Sequence, residues 1–215
     1  MLMNKGTIHT LGKWLGKFAF TWLMLAAFLT AALGTQTHAR PLSSHWLERA
    51  GFAPHDLWAW RWGRLFTSVL ITSGGRLFTP VLGIFTFSIG LVEWLAGTKR
   101  AIATFWGVHL LTMLIESLLI ILPLHQLGHQ RGTALTLVRD VGPSAGYFGC
   151  LGFATQRLPR KLGQFTHSFI LGILLINLLT PALQEEHGNT KFFADLAHLI
   201  AFPLGWLASR LDRSK

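Results

Sequence analysis

The stretch DVGPSAGYFG, Asp140 to Gly149, sets one serine between glycines where a long apolar run begins. A serine hydroxyl becomes a nucleophile when a nearby base takes its proton. The start of a helix adds to that chemistry. Its first N–H groups lack intrahelical acceptors, and with the helix dipole they favour negative charge that develops beside them. A base from another helix is then required. ADLAHLIAFPLGWL supplies His198, with Ala201 and Gly205 three and seven residues on. Those small residues share its helical face and allow a second helix to come close. Ser144 as nucleophile and His198 as base would carry out acyl transfer. Each feature also has a purely structural reading. Gly142 and Gly146 form a GxxxG packing motif, a serine at a helix start is a common N-cap, and a histidine within an apolar helix can be a hydrogen-bonded core group.

The elements that would position these residues follow from composition. Of 215 residues, 51% are hydrophobic and 13% are charged, against about 25% charged in soluble domains. The apolar residues cluster in runs near the ~20 residues that cross a bilayer core. Six such runs lie at roughly 14–34, 77–96, 101–123, 142–158, 166–184 and 192–210. This predicts an all-α polytopic membrane protein, a single domain over 1–215, with a long outer first loop at 35–76. The formal net charge of +10 does not point to nucleic acid. The short stretches 97–100 and 157–161 are basic, as cytoplasmic loops are, so both termini are expected in the cytoplasm and the charge faces membrane lipid. The N-terminal segment has some likeness to a secretory signal, but its apolar run is long and THAR is a poor cleavage site, so a retained first helix is expected. Cys150 is the sole cysteine. It excludes an intrachain disulfide and reads as small buried filler.

The first loop carries Trp46, Trp58, Trp60 and Trp62 among arginines, a composition suited to the headgroup layer. Two acids fall inside apolar runs, where an ionisable group is costly. Glu93 lies near the inner end of its run and is expected to cap backbone groups or to pair with Lys99 or Arg100. Glu116 is deeper, with His109 as a candidate partner. Asp140 and Asp195 flank Ser144 and His198 in sequence. Either could orient the histidine, as in an Asp–His–Ser site, or cap a helix start. His125 and His129 have a spacing seen for zinc ligands, but the proline and glycines of LPLHQLGHQRG argue against a regular helix there. No metal site and no cofactor are expected.

Several of these stretches resemble the rhomboid family of intramembrane serine proteases. WRWGRLFTS is similar to the tryptophan-arginine motif of the rhomboid first loop, with Arg64 as the matching arginine and Gly63 where the family has tryptophan. IGLVEWLAGTKRAI is similar to the end of the second helix, with Glu93 as the matching acid. Gly142, Pro143, Ser144 and Ala145 match the start of the fourth helix, and His198, Ala201 and Gly205 match the sixth. The resemblance spans roughly residues 57–213. It implies a six-transmembrane-helix rhomboid-like bundle in which Ser144 and His198 form the catalytic dyad, Gly142, Gly146, Ala201 and Gly205 serve the oxyanion site and helix packing, and Arg64 and Glu93 are structural. The sequence departs from the pattern at Leu77 and Val81, which stand where active rhomboids carry a histidine and an asparagine that donate to the oxyanion. Ala145 and Ala201 stand where the family prefers glycine. Arg76 or Thr79 are candidates to replace the missing donors. The expected function is an intramembrane serine hydrolase, a peptidase. The alternatives are a non-catalytic rhomboid-fold protein that binds transmembrane partners, and a lipid hydrolase or acyltransferase that uses Asp140 or Asp195. Partners would be membrane lipids and transmembrane substrates or clients, without nucleic acid, in a bacterial inner membrane.

Overall fold

The structure, a computed structural model, describes residues 16–182 and 188–213. The signal-like N-terminal residues therefore lie outside the described residues. Among these, every regular element is helical, and the extended pairing is limited to two isolated bridges, Pro41 with Gly74 and Phe52 with Asp140. The helices are α1 (Ala19–Thr35), α2 (Ser44–Ala50), α3 (His55–Trp58), α4 (Arg64–Thr67), α5 (Phe78–Ala96), α6 (Thr98–Leu114), α7 (Leu122–Gln126), α8 (Gln130–Leu135), α9 (Ser144–Thr155), α10 (Arg160–Ala182) and α11 (Gly188–Arg213). A π-helical stretch, Ile115–Ile121, joins α6 to α7 without a break.

Four helical stretches are long and apolar enough to cross a membrane: Gly75–Ala96, Thr98–Gln126, Arg160–Thr180 and Gly188–Asp212. The chain is an integral membrane protein. The other two apolar runs form shorter helices. α1 is described over 17 residues and α9 over 12. At 1.5 Å per residue α9 is about 18 Å long, well short of the ~30 Å hydrocarbon core.

The shortness of α9 matches its place. It is the centre of the bundle, packed most extensively on α11 and then on α6 and α5. A helix enclosed on all sides needs no lipid-facing stripe, and nine of its twelve residues are buried. α10 is the opposite case. It leans mainly on α11 and leaves Phe165, Phe169 and Ile176 exposed, the face expected of a helix against lipid.

Helices associate in lipid through close packing rather than a hydrophobic gradient. Here the packing reaches backbone contact. A methyl group at Gly152 would overlap the Phe202 carbonyl, and one at Gly205 would overlap the Gly149 carbonyl. The seam between α9 and α11 is therefore Gly149, Gly152 and Gly205, with Ala201 fully buried nearby. The GxxxG motif of the sequence is not that seam. Gly146 faces the Phe105 ring of α6, and Gly142 lies outside the helix with φ of 139°.

Glu93 closes the other end of the bundle. Its carboxylate accepts the N–H groups of Phe20 and Thr21, each at 2.9 Å. It also accepts the hydroxyls of Thr21 at 2.6 Å and Thr98 at 2.7 Å. An acid on α5 thus caps the start of α1 and binds the first residue of α6. Arg100, the alternative partner, instead meets Asp212 at 2.6 Å. Asp212 also binds Arg157, so one carboxylate ties α6 and the end of α9 to α11.

Gly152→Ala should lose about 1–3 kcal/mol or more of stability, the usual range for overpacking. Gly83→Ala, with open space around it, should lose nothing. Thermal unfolding of both variants in the same detergent checks this. Equal midpoints would remove the backbone seam as the determinant of the α9–α11 contact.

Candidate active site

The start of α9 is held from above by the first loop. Phe52 and Asp140 exchange backbone hydrogen bonds at 2.9 and 3.0 Å, the Gly142 N–H donates to the Ser68 carbonyl at 2.9 Å, and the His55 N–H donates to Thr136 at 3.0 Å. Beneath them lies a polar hub at Asp56, which is wholly buried. Its carboxylate accepts from the Ala53 N–H at 3.0 Å, Arg139 at 2.8 Å and Arg64 at 3.4 Å. Arg139 further binds Glu48 at 2.7 Å and the Gly51 carbonyl at 3.1 Å. Arg64 therefore serves the hub that joins the loop to the segment before Ser144. The tryptophans of this loop divide: Trp58 donates to His55 at 3.0 Å, whereas Trp60 is 82% exposed and adopts a positive φ of 58°.

Gly142, in a conformation that favours glycine, turns the chain into Ser144. Pro143 occupies the N-cap position and makes no side-chain cap. Ser144 is thus the first helical residue rather than the cap, and its side chain borders a small cleft. The cleft is lined by Ser68, His109, Met113, Asp140, Val141, Ala145 and Ala197, among others, and has room for about one water molecule.

His198 lies on α11, one residue beyond Ala197 of that cleft. Its ring packs against Phe148, with centroids 4.4 Å apart and the planes tilted by 33°. Phe148 is one turn after Ser144, so the histidine ring packs on the face of α9 that also carries Ser144. The Nδ1 atom of His198 is 3.8 Å from Asp195, and Asp195 also binds Lys191 at 3.1 Å. The Nε2 atom is buried and makes no hydrogen bond. No hydrogen bond joins Ser144 to His198 among the described residues. Asp195 lies seven residues into α11, and Asp140 lies four residues before α9. Neither caps a helix start.

The positions expected to hold oxyanion donors are elsewhere. Leu77 is 58% exposed, and Val81, on α5, packs partly buried against the hydrophobic core. Arg76 and Thr79 are exposed and do not line the cleft, so they do not replace the missing donors. The nearest polar side chains are others. His109 is buried, with Nε2 at 2.9 Å from the Leu65 carbonyl. A carbonyl only accepts, so Nε2 carries the proton, and Nδ1 of the neutral ring is an acceptor. That leaves the Ser68 hydroxyl and the first-turn N–H groups of α9 as donors. His109 does not bond Glu116. Glu116 is fully buried in the π-helical stretch and neither oxygen has a hydrogen-bond partner among the described residues.

Asp140 keeps some accessible surface, yet protein surrounds its carboxyl, and this burial pushes it up to about 6 against a hydrogen bond from Val141 that lowers it. His125 and His129 do not share a helix. His125 ends α7 and bonds Thr133 at 3.1 Å, while His129 caps α8 through Gly132 at 3.4 Å. Among the described residues no three histidine, cysteine or acidic side chains are gathered as metal ligands.

The residues that sequence reasoning missed are Asp56, Arg139, Ser68 and Phe148. An acid followed by two arginines was visible in HDLWAWRWGR, but its partner Arg139 is 83 residues away. No family model, curated protein or solved structure matches the chain.

Asp56→Ala leaves the mostly buried Arg64 without an acid and Arg139 with Glu48 alone, and should cost about 3–5 kcal/mol, read as a lower unfolding midpoint in detergent. A loss near zero would mean the loop is held by its backbone bonds alone. For Asp140 the sign follows from a folded value near 6 above the ordinary 3.8. The ionised carboxylate opposes folding above about pH 6, and below about pH 4 both states are protonated. Asp140→Asn should therefore be more stable than wild type at pH 8, and the gain should shrink as pH falls through 6 and vanish below 4. A gain independent of pH would contradict the burial of this carboxyl.

Proposed function

We propose that the protein is a rhomboid-like intramembrane serine hydrolase, a peptidase, with Ser144 as nucleophile and His198 as base. The observation that carries this reading is the packing of the His198 ring against Phe148, one turn after Ser144, with Nε2 buried and free of other bonds. The reading requires Nε2 and the Ser144 hydroxyl, which are not hydrogen-bonded here, to meet when substrate binds. Catalytic hydrogen bonds are often long in unliganded enzymes and tighten with substrate.

In this reading α1, α5, α6 with α7, α9, α10 and α11 are the six helices of a rhomboid-like bundle, and α9 sets the nucleophile below the outer surface. Both termini face the cytoplasm of a bacterial inner membrane, by the basic ends of α6, α10 and α11. His198 takes the Ser144 proton as the hydroxyl attacks a substrate carbonyl. The same proton then passes to the leaving amine, and water hydrolyses the acyl-enzyme. Asp195 orients the ring through Nδ1. The oxyanion is met by the first-turn N–H groups of α9 and by the Ser68 hydroxyl. With two side-chain donors absent, turnover should be slow, since each such donor is worth on the order of 10²–10³ in rate.

A second reading is a non-catalytic protein on the same scaffold that binds transmembrane partners. Leu77 and Val81, and the missing Ser144–His198 hydrogen bond, favour it. A lipid hydrolase or acyltransferase would use the same Ser144, His198 and Asp195.

A serine-directed fluorophosphonate probe separates the first two. Wild-type protein in detergent should be labelled, and Ser144→Ala and His198→Ala should each lose labelling by at least a hundredfold. Wild-type labelling no greater than that of Ser144→Ala, in folded protein, would replace the enzyme with the partner-binding reading. Peptide and lipid substrates tested on labelled protein distinguish the peptidase from the lipid enzyme.

A further inference from the structure

A cleft of about 520 Å³ opens between the start of α10 and the end of α11. It lies at the opposite end of α9 from Ser144 and is bordered by Gln156, Arg160, Gln164, His167, Trp206 and Arg210. Its wall has no acid. The neighbouring Arg100 and Arg157 already share an acid, Asp212. Arg160 and Arg210 have no acidic partner among the described residues. Arg210 instead lies over the Trp206 ring, 5.2 Å from its centroid.

The start of α10 makes the charge more telling. A helix N-terminus carries partial positive charge, so its first turn normally favours acids. α10 begins RKLG, with two cations and no acid in its first turn. This arrangement is unfavourable alone and favourable around a bound anion. The imidazole of His167 is fixed by stacking on Phe202, with centroids 5.0 Å apart, and by contact with Trp206 at 5.5 Å. It adds a third polar group to a rigid wall.

We propose that this cleft binds the phosphate of an anionic phospholipid headgroup. Charge selects the phosphate, and position selects the lipid. The cleft lies at the ends of two spanning helices, where headgroups sit, and basic pockets between such helices hold acidic lipid headgroups. On α10 the exposed Phe165 and Phe169 follow directly and stack on each other at 6.1 Å, an apolar surface for the acyl chains. The site is independent of the reading given to Ser144.

The test is native mass spectrometry of the full chain in detergent, titrated with phosphatidylglycerol or phosphatidylcholine, beside thermal unfolding in the same lipids and in inorganic phosphate. Phosphatidylglycerol should be retained at least tenfold better than phosphatidylcholine and should raise the midpoint. The double variant Arg160→Gln/Arg210→Gln should lose that preference tenfold, and Arg160→Gln alone, at an exposed position, severalfold. A charge-matched control, Arg40→Gln/Arg76→Gln at the first-loop end, should keep it. Equal loss in the control would reduce the effect to diffuse attraction and overturn the site. Unchanged retention in the cleft variants would also overturn it. Protection by inorganic phosphate equal to that by the lipid would make this a soluble-anion site and refute the lipid assignment.

Discussion

The backbone contact between α9 and α11 is the constraint on which the rest of the molecule depends. Two helices meet with glycine on both sides, Gly149 and Gly152 against Phe202 and Gly205, and no side chain fits between them. In lipid such proximity supplies dispersion contacts that a looser crossing would lose. It also fixes where His198 can be. With α11 laid on α9, the histidine ring lands on Phe148, and Ser144 comes within a turn of it. The placement of His198 against the Ser144 face of α9 thus follows from helix packing at the glycines.

That contact aligns the helices but does not hold the chain before α9. The first loop does so with polar groups, which suits a region outside the hydrocarbon. Asp56 gathers Arg64 and Arg139, and paired backbone groups of Phe52 and Asp140 secure the turn into Ser144. One end of the α9 face that carries Ser144 is therefore held by glycine packing and the other by buried charge. The two act on different segments and by different forces, charge and hydrogen bonding in the hub and close backbone packing in the seam.

The two acids within the helices show how far context decides the meaning of a residue. Glu93 accepts four hydrogen bonds and serves as a cap shared by three helices. Glu116, of the same type and also in a span, accepts none from the described residues. Charge in a membrane is tolerated where donors converge on it, and only the fold determines where they converge.

The sequence by itself determined that this chain is a helical membrane protein, and where its apolar helices lie. Run length and composition are local properties, so the run at 77–96 appears as α5 at Phe78–Ala96 and the run at 142–158 contains α9. It also singled out Ser144 and His198, because a polar residue within an apolar run is conspicuous without coordinates. The tertiary structure alone decided the rest. It made α9 the short buried centre, turned Gly146 toward Phe105, placed Leu77 and Thr79 away from the cleft, and brought Asp56 to Arg139. Each of these depends on the rotation of one helix relative to another. That rotation comes from side-chain and backbone fit between segments distant in sequence, which no local pattern of hydropathy encodes.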